Sequence, residues 1–210
     1  GGRVALVASS APATAPGLVM KRAGTVQAYE PFQIVVENLE ISGFPGDCIL
    51  AQAPAESTFR NLLLHGCGRH GLALVPEAAH GRNPFQNQIG GGAGFGNEIR
   101  DNAQWGIYAE VNPAFGTGSA LNRFEGNRVG WSATDPGGAH GNDAGGLAIV
   151  NARGNIVGTT DPAYGNRLSG NGGAGLLLYG SEARENAVVG NFVGLGGAGG
   201  RCEAKANGGG

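Results

Sequence analysis

Short apolar runs recur along the chain, each opened by a small residue and followed by positions that alternate between aliphatic and variable. The intervals between successive runs are 23, 35, 40 and 29 residues. Alternation with a period of two over so few residues predicts short β-strands with one face turned inward. The runs are Cys48-Ile49-Leu50-Ala51, Gly71-Leu72-Ala73-Leu74, Gly106-Ile107-Tyr108-Ala109, Gly146-Leu147-Ala148-Ile149 and Gly175-Leu176-Leu177-Leu178.

A second recurring form places an asparagine two residues before an aliphatic residue or phenylalanine, with another asparagine three residues further on. Asparagine and glycine tolerate left-handed backbone angles, so this form predicts sharp turns between the short strands. Asparagines at matching turns are also expected to hydrogen-bond from one layer to the next. The form occurs at Asn97-Glu98-Ile99 with Asn102, Asn122-Arg123-Phe124 with Asn127, Asn166-Arg167-Leu168 with Asn171 and Asn186-Ala187-Val188 with Asn191.

Landmarks also recur in the same order at an offset of roughly 65 residues, which is the signature of a repeat architecture. Asn87-Gln88-Ile89-Gly90 matches Asn155-Ile156-Val157-Gly158, and residues 122–130 match residues 186–194. Short strands joined by sharp turns and stacked in layers predict an all-β fold, a right-handed parallel β-helix. We expect a single domain over residues 1–210 with about six to eight coils, incomplete at both ends.

Two other architectures fit the pattern poorly. A helical solenoid is excluded because no window of a dozen residues avoids glycine and shows a period of 3.6. A β-sandwich needs strands of about 5–6 residues and does not repeat its landmarks in this way. The intervals longer than 23 residues predict loops inserted near residues 75–86, 111–120 and 131–143.

Composition narrows the possible functions. The chain has 42 glycines and 41% apolar residues, which is enough apolar material to form a core and argues against disorder. A net charge of −2 gives no basic field for nucleic acid, and no apolar run is long enough for a membrane span. The three cysteines, Cys48, Cys67 and Cys202, match neither a disulfide framework nor a zinc site, so we interpret them as small buried thiols.

The stretch from Asn155 to Gly194, NIVGTTDPAYGNRLSGNGGAGLLLYGSEARENAVVGNFVG, resembles the asparagine-rich repeats of secreted bacterial right-handed β-helix proteins of the pectin-lyase-like group. Residues 35–50, VVENLEISGFPGDCIL, resemble an early coil of that family. The resemblance implies an extracellular or cell-surface protein. Related solenoids include polysaccharide lyases, epimerases and glycosidases, but this chain carries none of their catalytic signatures.

Aligning the coils on Gly71 and Gly106 converts sequence positions into expected neighbours. Asp47, His70 and Trp105 fall in one column at the turn before the strand, with Asp47 read as a turn residue. Tyr108 is expected outward between Ala73 and Ala148. The candidates for catalysis are Arg100, Tyr108 and His70, and the candidates for substrate binding are His65, Arg69, Trp105 and Glu110.

The chemistry of these side chains suits an acidic sugar, because arginine pairs with a uronate carboxylate and tyrosine or histidine can remove a proton. No metal or other cofactor is expected, since His140 and Asp143 alone are too few ligands for a metal site. We expect a structural or adhesive module that binds polysaccharide. The alternatives are a lyase or epimerase acting on a polyuronate, and an inert stalk.

Overall fold

Three parallel sheets of short strands make up the fold. The computed structural model describes residues 3–8, 12–21, 33–116, 119–132, 134–135, 138, 140–196, 203–204 and 206–208. Sheet A contains β1 (Val4–Val7), β4 (Leu39–Ser42), β7 (Leu63–His65), β10 (Glu98–Arg100), β13 (Arg128–Val129), β16 (Arg167–Leu168) and β19 (Phe192–Val193). Sheet B contains β2 (Leu18–Met20), β5 (Ile49–Gln52), β8 (Leu72–Val75), β11 (Trp105–Glu110), β14 (Gly145–Val150) and β17 (Ala174–Tyr179). Sheet C contains β3 (Val35–Glu37), β6 (Thr58–Arg60), β9 (Gln88–Gly90), β12 (Arg123–Glu125), β15 (Ile156–Gly158) and β18 (Ala187–Val189).

Few elements lie outside these sheets in the described residues. The strands β20 (Leu195–Gly196) and β21 (Glu203–Ala204) form an antiparallel pair. Two 3₁₀ turns span Pro113–Phe115 and Pro162–Tyr164, and the described residues contain no α-helix.

Each coil passes through sheet C, sheet A and sheet B in turn, and every strand pairs with its counterpart one coil later. In sheet B, Ile107 pairs with Leu72 of the preceding coil and with Leu147 of the following coil. The predicted parallel β-helix is therefore confirmed, and sheets of seven, six and six strands match the predicted number of coils. The apolar runs and their spacing follow directly from this register.

The offset of roughly 65 residues corresponds to two coils rather than one. Asn122 lies between Asn87 and Asn155 in the same corner, so these last two are second neighbours along the axis. The asparagine form also divides between two corners: Asn97 precedes a strand of sheet A, whereas Asn122 precedes a strand of sheet C. The same local pattern therefore marks two different corners of the coil.

The inward columns of the three sheets form one continuous core. Ile99, Phe124 and Leu168 have no exposed surface, as their alternation predicts. Val188 points the same way as Phe124 and Val157 but is 45% exposed, since it lies in the last described coil and no further described strand covers it. Burial in this fold is therefore supplied by the neighbouring coil.

Three buried ladders of asparagine run parallel to the core, one at each corner. In each ladder the side-chain Oδ1 accepts the backbone N–H of the equivalent residue one coil earlier, as Asn142 does for Asn102 at 3.2 Å. In the middle of a ladder the Nδ2 group also donates to Oδ1 of the asparagine in the next coil and to a backbone carbonyl, as in Asn142. The hydrogen-bonding groups of these buried amides are therefore paired. The ladders comprise Asn87, Asn122, Asn155 and Asn186 before sheet C; Asn97, Asn127, Asn166 and Asn191 before sheet A; and Asn102, Asn142, Asn171 and Asn207 before sheet B.

The ladder before sheet B explains why a small residue opens each strand of that sheet. A Cβ atom on Gly106 would collide with Cγ1 of Val129 and lie 2.7 Å from Nδ2 of Asn142. One on Gly71 would collide with Cγ2 of Ile99 and lie 2.9 Å from Nδ2 of Asn102. Each asparagine of this corner thus occupies the space left by a glycine in the preceding coil. We call this arrangement the glycine–asparagine corner.

A disulfide replaces that arrangement at one position. Cys67 occupies the place of an asparagine, since its backbone N–H donates to Oδ1 of Asn102 at 3.0 Å. Cys48 occupies the place of the glycine, and the two cysteines are bonded with their Cα atoms 5.6 Å apart. The expectation of free thiols was wrong for this pair because corner stacking, not sequence spacing, brings them together. Cys202 lies outside the described residues.

The predicted insertions coincide with long connections between strands. Two of them join sheet B to sheet C and pack on each other, with Asn112 N–H donating to Oδ1 of Asn83 at 2.9 Å. The third joins sheet A to sheet B, between β13 and β14.

Candidate functional site

The column predicted at the turn before sheet B is present. The backbone N–H of His70 donates to Oδ1 of Asp47 at 3.1 Å, and the N–H of Trp105 donates to Nδ1 of His70 at 3.2 Å. Asp47 is only 1% exposed, which agrees with its interpretation as a turn residue. Because Nδ1 of His70 accepts a backbone hydrogen bond, the ring is held as the neutral tautomer with its proton on Nε2.

Tyr108 lies on the outer face of sheet B, where it pairs with Ala73 and Ala148 as predicted. These small neighbours leave room for its ring to lie against His70, with ring centroids 4.7 Å apart and planes inclined by 10°. The carboxylate of Glu110 lies on the same strand, near enough to the phenol to raise its pKa. Packing against His70 on one side gives the Tyr108 ring a defined orientation.

Trp105 begins the same strand and lies over the next coil. Its register partner there is Gly145, and a Cβ atom at that position would collide with the six-membered ring of the indole. Arg69 lies beside this group with 53% of its side chain exposed, and its guanidinium is 3.9 Å from the buried carboxylate of Asp47. We call Arg69, His70, Trp105, Tyr108 and Glu110 the Tyr108 patch.

The electrostatics of the Tyr108 patch keep both ring systems neutral. Burial lowers the pKa of His70 to about 4, and the cation of Arg69 acts in the same direction against the opposing effect of Asp47. Burial and the carboxylate of Glu110 raise the pKa of Tyr108 to about 12. At neutral pH the patch therefore contains neither an imidazolium nor a phenolate.

The remaining two candidates lie on a different sheet. His65 and Arg100 are register partners on the outer face of sheet A, as predicted, but they lie outside the Tyr108 patch. The His65 ring contacts the carboxylate of Glu40 at 3.1 Å. The guanidinium of Arg100 contacts Glu98 at 3.2 Å and also Asp101, so its charge is already compensated within the protein.

A charged cluster beside Arg100 escaped the sequence reasoning. His140, considered from the sequence only as a metal ligand, places Nδ1 3.3 Å from Asp101 and Nε2 3.1 Å from Asp135. The backbone N–H of Asp101 also donates to the carbonyl of His140 at 3.2 Å, which fastens the inserted loop to the coil. Only the alignment of consecutive coils could have placed His140 beside Asp101, and the loop inserted near residues 131–143 prevents that alignment from being read in the sequence.

Several classes of site are absent from the part of the chain that the structure describes. No group of three histidine, cysteine, aspartate or glutamate side chains there is arranged to hold a metal ion. No helix in these residues is long and apolar enough to cross a membrane. The outer faces of the described sheets offer aromatic stacking, hydrogen bonding and ion pairing.

Comparison with protein-family models, with curated proteins and with solved structures finds no match for this chain. The parallel β-helix is therefore established by the strand register alone, and the likeness to secreted bacterial β-helix repeats remains a resemblance in sequence.

Proposed function

We propose that this chain is an extracellular or cell-surface β-helix module that binds polysaccharide through the Tyr108 patch without chemical turnover. The observation that carries the proposal is the stacked pair of Tyr108 and His70, whose ring centroids are 4.7 Å apart, with the small residues Ala73 and Ala148 on either side of Tyr108 and the exposed cation of Arg69 beside it. A flat, rigid sheet surface loses little conformational entropy when a linear polymer binds to it.

The side chains of the patch suit a sugar that carries a carboxylate. The aromatic faces of Tyr108 and Trp105 offer apolar area to the C–H surface of a sugar ring. Arg69 is held only loosely, 3.9 Å from Asp47, so its guanidinium is available to pair with a uronate. Glu110 is positioned to accept hydrogen bonds from sugar hydroxyls.

The disulfide supports a location outside the cytoplasm. Disulfide bonds persist in secreted and surface proteins and are rare where thiols are kept reduced. Cys48 and Cys67 are both almost fully buried, which favours a stabilising bond over a redox-active one.

Turnover by lyase or epimerase chemistry is the less favoured alternative. A general base works best when its pKa lies near the working pH, whereas His70 and Tyr108 have pKa values of about 4 and about 12. Arg100, the other catalytic candidate, has its charge compensated by Glu98 and Asp101 on sheet A. These features support binding rather than proton abstraction.

The test is titration calorimetry of the protein with polygalacturonate, alginate and a neutral glucan. We expect saturable binding to at least one polyuronate and a loss of at least tenfold in affinity for Tyr108→Ala and for Arg69→Gln. Tyr179→Ala is the matched control, because Tyr179 is a 66% exposed tyrosine on the outer face of the same sheet.

Two outcomes would overturn the proposal. Absence of saturable binding to any of the polymers would leave the inert stalk as the better account. Release of an unsaturated uronate that disappears in Arg100→Ala or Tyr108→Phe would establish an enzyme instead.

A further inference from the structure

A second cationic feature lies on the outer face of sheet A, on a different sheet from the Tyr108 patch. Glu98, Arg128, Arg167 and Phe192 are register partners in four consecutive coils. Equivalent residues in successive coils are separated by ~4.8 Å, so the two arginines are neighbours of like charge. Like charges directly opposite each other destabilise a sheet unless something compensates them.

Aromatic rings hold these two arginines in place. The Cζ atoms of Arg128 and Arg167 lie 5.9 Å and 5.8 Å from the ring of Trp131. Arg167 also lies 4.9 Å from the ring of Phe192. Contacts of this kind orient a guanidinium group, but they do not neutralise its charge.

The charges of other arginines in the molecule are compensated by nearby carboxylates. Arg60, Arg123 and Arg184 each lie within 2.9 Å of a glutamate carboxylate. Within the described residues, neither Arg128 nor Arg167 has a carboxylate within the 4.0 Å that defines an ion pair. Glu98, the register partner of Arg128 in the preceding coil, is paired with Arg100 at 3.2 Å, so the two arginines are a local excess of positive charge on a protein whose net charge is −2.

Trp131 supplies a second, independent sign of a missing partner. Its side chain is largely buried, with 8% of the residue exposed, and its Nε1–H group has no acceptor in the structure. Buried indole N–H groups normally find an acceptor, because leaving one unpaired is unfavourable. An anion at this place provides both the counter-charge and an acceptor.

We propose that Arg128, Arg167 and Trp131 form a binding site for a tetrahedral oxyanion, a sulfate or phosphate group. One guanidinium saturates the two coplanar oxygens of a carboxylate, whereas a tetrahedral anion presents oxygens to two guanidinium groups and an indole together. The site does not depend on the Tyr108 patch, so either can fail without the other.

The experiment follows the indole N–H resonances of the chain's two tryptophans by ¹H–¹⁵N NMR, with the Trp131 signal assigned from Trp105→Phe. Sulfate and phosphate are expected to shift the Trp131 signal saturably, whereas chloride at equal ionic strength leaves it in place. Arg128→Gln combined with Arg167→Gln should weaken the response at least tenfold. Arg123→Gln, an exposed arginine on sheet C, is the matched control.

The source of the anion is distinguished with polymers. Tighter binding of dextran sulfate than of free sulfate assigns the site to a sulfated glycan, and tighter binding of polyphosphate than of free phosphate assigns it to a phosphate polymer. If the double glutamine variant fails to fold, Arg128→Lys combined with Arg167→Lys is used instead. This variant keeps the positive charge but loses the paired N–H donors of the guanidinium groups, so it should still bind sulfate and phosphate more weakly. A Trp131 shift that chloride reproduces, or one unchanged in the arginine variants, would overturn the proposal.

Discussion

The corner before sheet B is built in two ways, and the comparison explains what the fold requires. Across Gly71, Gly106, Gly146 and Gly175 the corner is filled by an asparagine amide from the next coil. One coil earlier the same place is filled by the bond between Cys48 and Cys67. The space at the corner must be filled, and either an asparagine amide or a disulfide fills it.

The two solutions differ in what can break them. An asparagine corner depends on several hydrogen bonds in a buried place and is unaffected by redox conditions. The disulfide corner depends on one covalent bond. His70, whose pKa is lowered to about 4, lies at the turn beside both kinds of corner. Three perturbations separate these dependencies, and they are ordered here from the largest expected loss of stability to the smallest.

The largest loss is expected for Asn142→Ala. This side chain is fully buried and takes part in four hydrogen bonds, among them that from Asn102 Nδ2 at 2.9 Å and that to the Ile99 carbonyl at 3.2 Å. Its removal leaves several buried donors and acceptors unpaired, so the free energy of unfolding should fall by about 3–5 kcal/mol. Urea unfolding measures this.

The control for that variant is Asn112→Ala. Asn112 caps a surface 3₁₀ turn by accepting the N–H of Ala114 at 3.0 Å, so its loss should remove only about 1 kcal/mol. Equal losses in the two variants would mean that the ladder contributes no more than a surface turn.

Removal of the disulfide is next. Its sequence separation is 19 residues, for which the chain-entropy relation gives about 3 kcal/mol. Cys48→Ala with Cys67→Ala should therefore be less stable than the parent by about that amount in urea. The free energy of unfolding of the parent should fall by a similar amount under reducing conditions. If reductant also lowered the stability of the double variant, the effect of reductant would not come from the bond between Cys48 and Cys67.

Mild acid should weaken the turn before sheet B at His70, which lies between the disulfide corner and the first asparagine corner. His70 is neutral when folded, and its pKa is about 4 against an ordinary value of 6.5, so the unfolded chain binds a proton in that range and the folded chain does not. The stability contributed by neutral His70 is full above pH 6.5 and declines as the pH falls toward 4. Between pH 7 and pH 5 the loss should be about 2 kcal/mol.

His70→Gln isolates this effect from the other histidines. His65, His80 and His140 each contact a carboxylate and contribute the same background to the parent and the variant. Urea unfolding at both pH values should show a smaller pH dependence in His70→Gln. An unchanged pH dependence would mean that His70 is not held neutral.

The general architecture could be predicted because each corner leaves a local mark. A small residue before an aliphatic run is required wherever an amide from the next coil needs space, as at Gly106, so the coil spacing was readable from the sequence. The column of Asp47, His70 and Trp105 and the outward position of Tyr108 followed from the same alignment.

Other features depend on register that local patterns do not encode. Asn97 and Asn122 look alike in sequence, yet they precede strands of different sheets, so the local pattern does not show to which corner an asparagine belongs. The cysteine pair fits no known spacing because the bond spans a corner. The pairing of Arg128 with Arg167 and the contacts of Trp131 emerge only once strands of two residues are placed in register.

The most direct test of the central claim converts the disulfide corner into a glycine–asparagine corner. The proteins to compare are Cys48→Gly/Cys67→Asn and Cys48→Gly/Cys67→Ala, which differ in one side chain. We predict that the asparagine version is more stable in urea by about 1–2 kcal/mol, because its amide reproduces the hydrogen bonds made by Asn102. Cys67→Asn combined with Cys48→Ala should give no such gain, since the Cβ atom of the alanine takes the space that the amide needs. Equal stability of the two glycine variants would contradict the account.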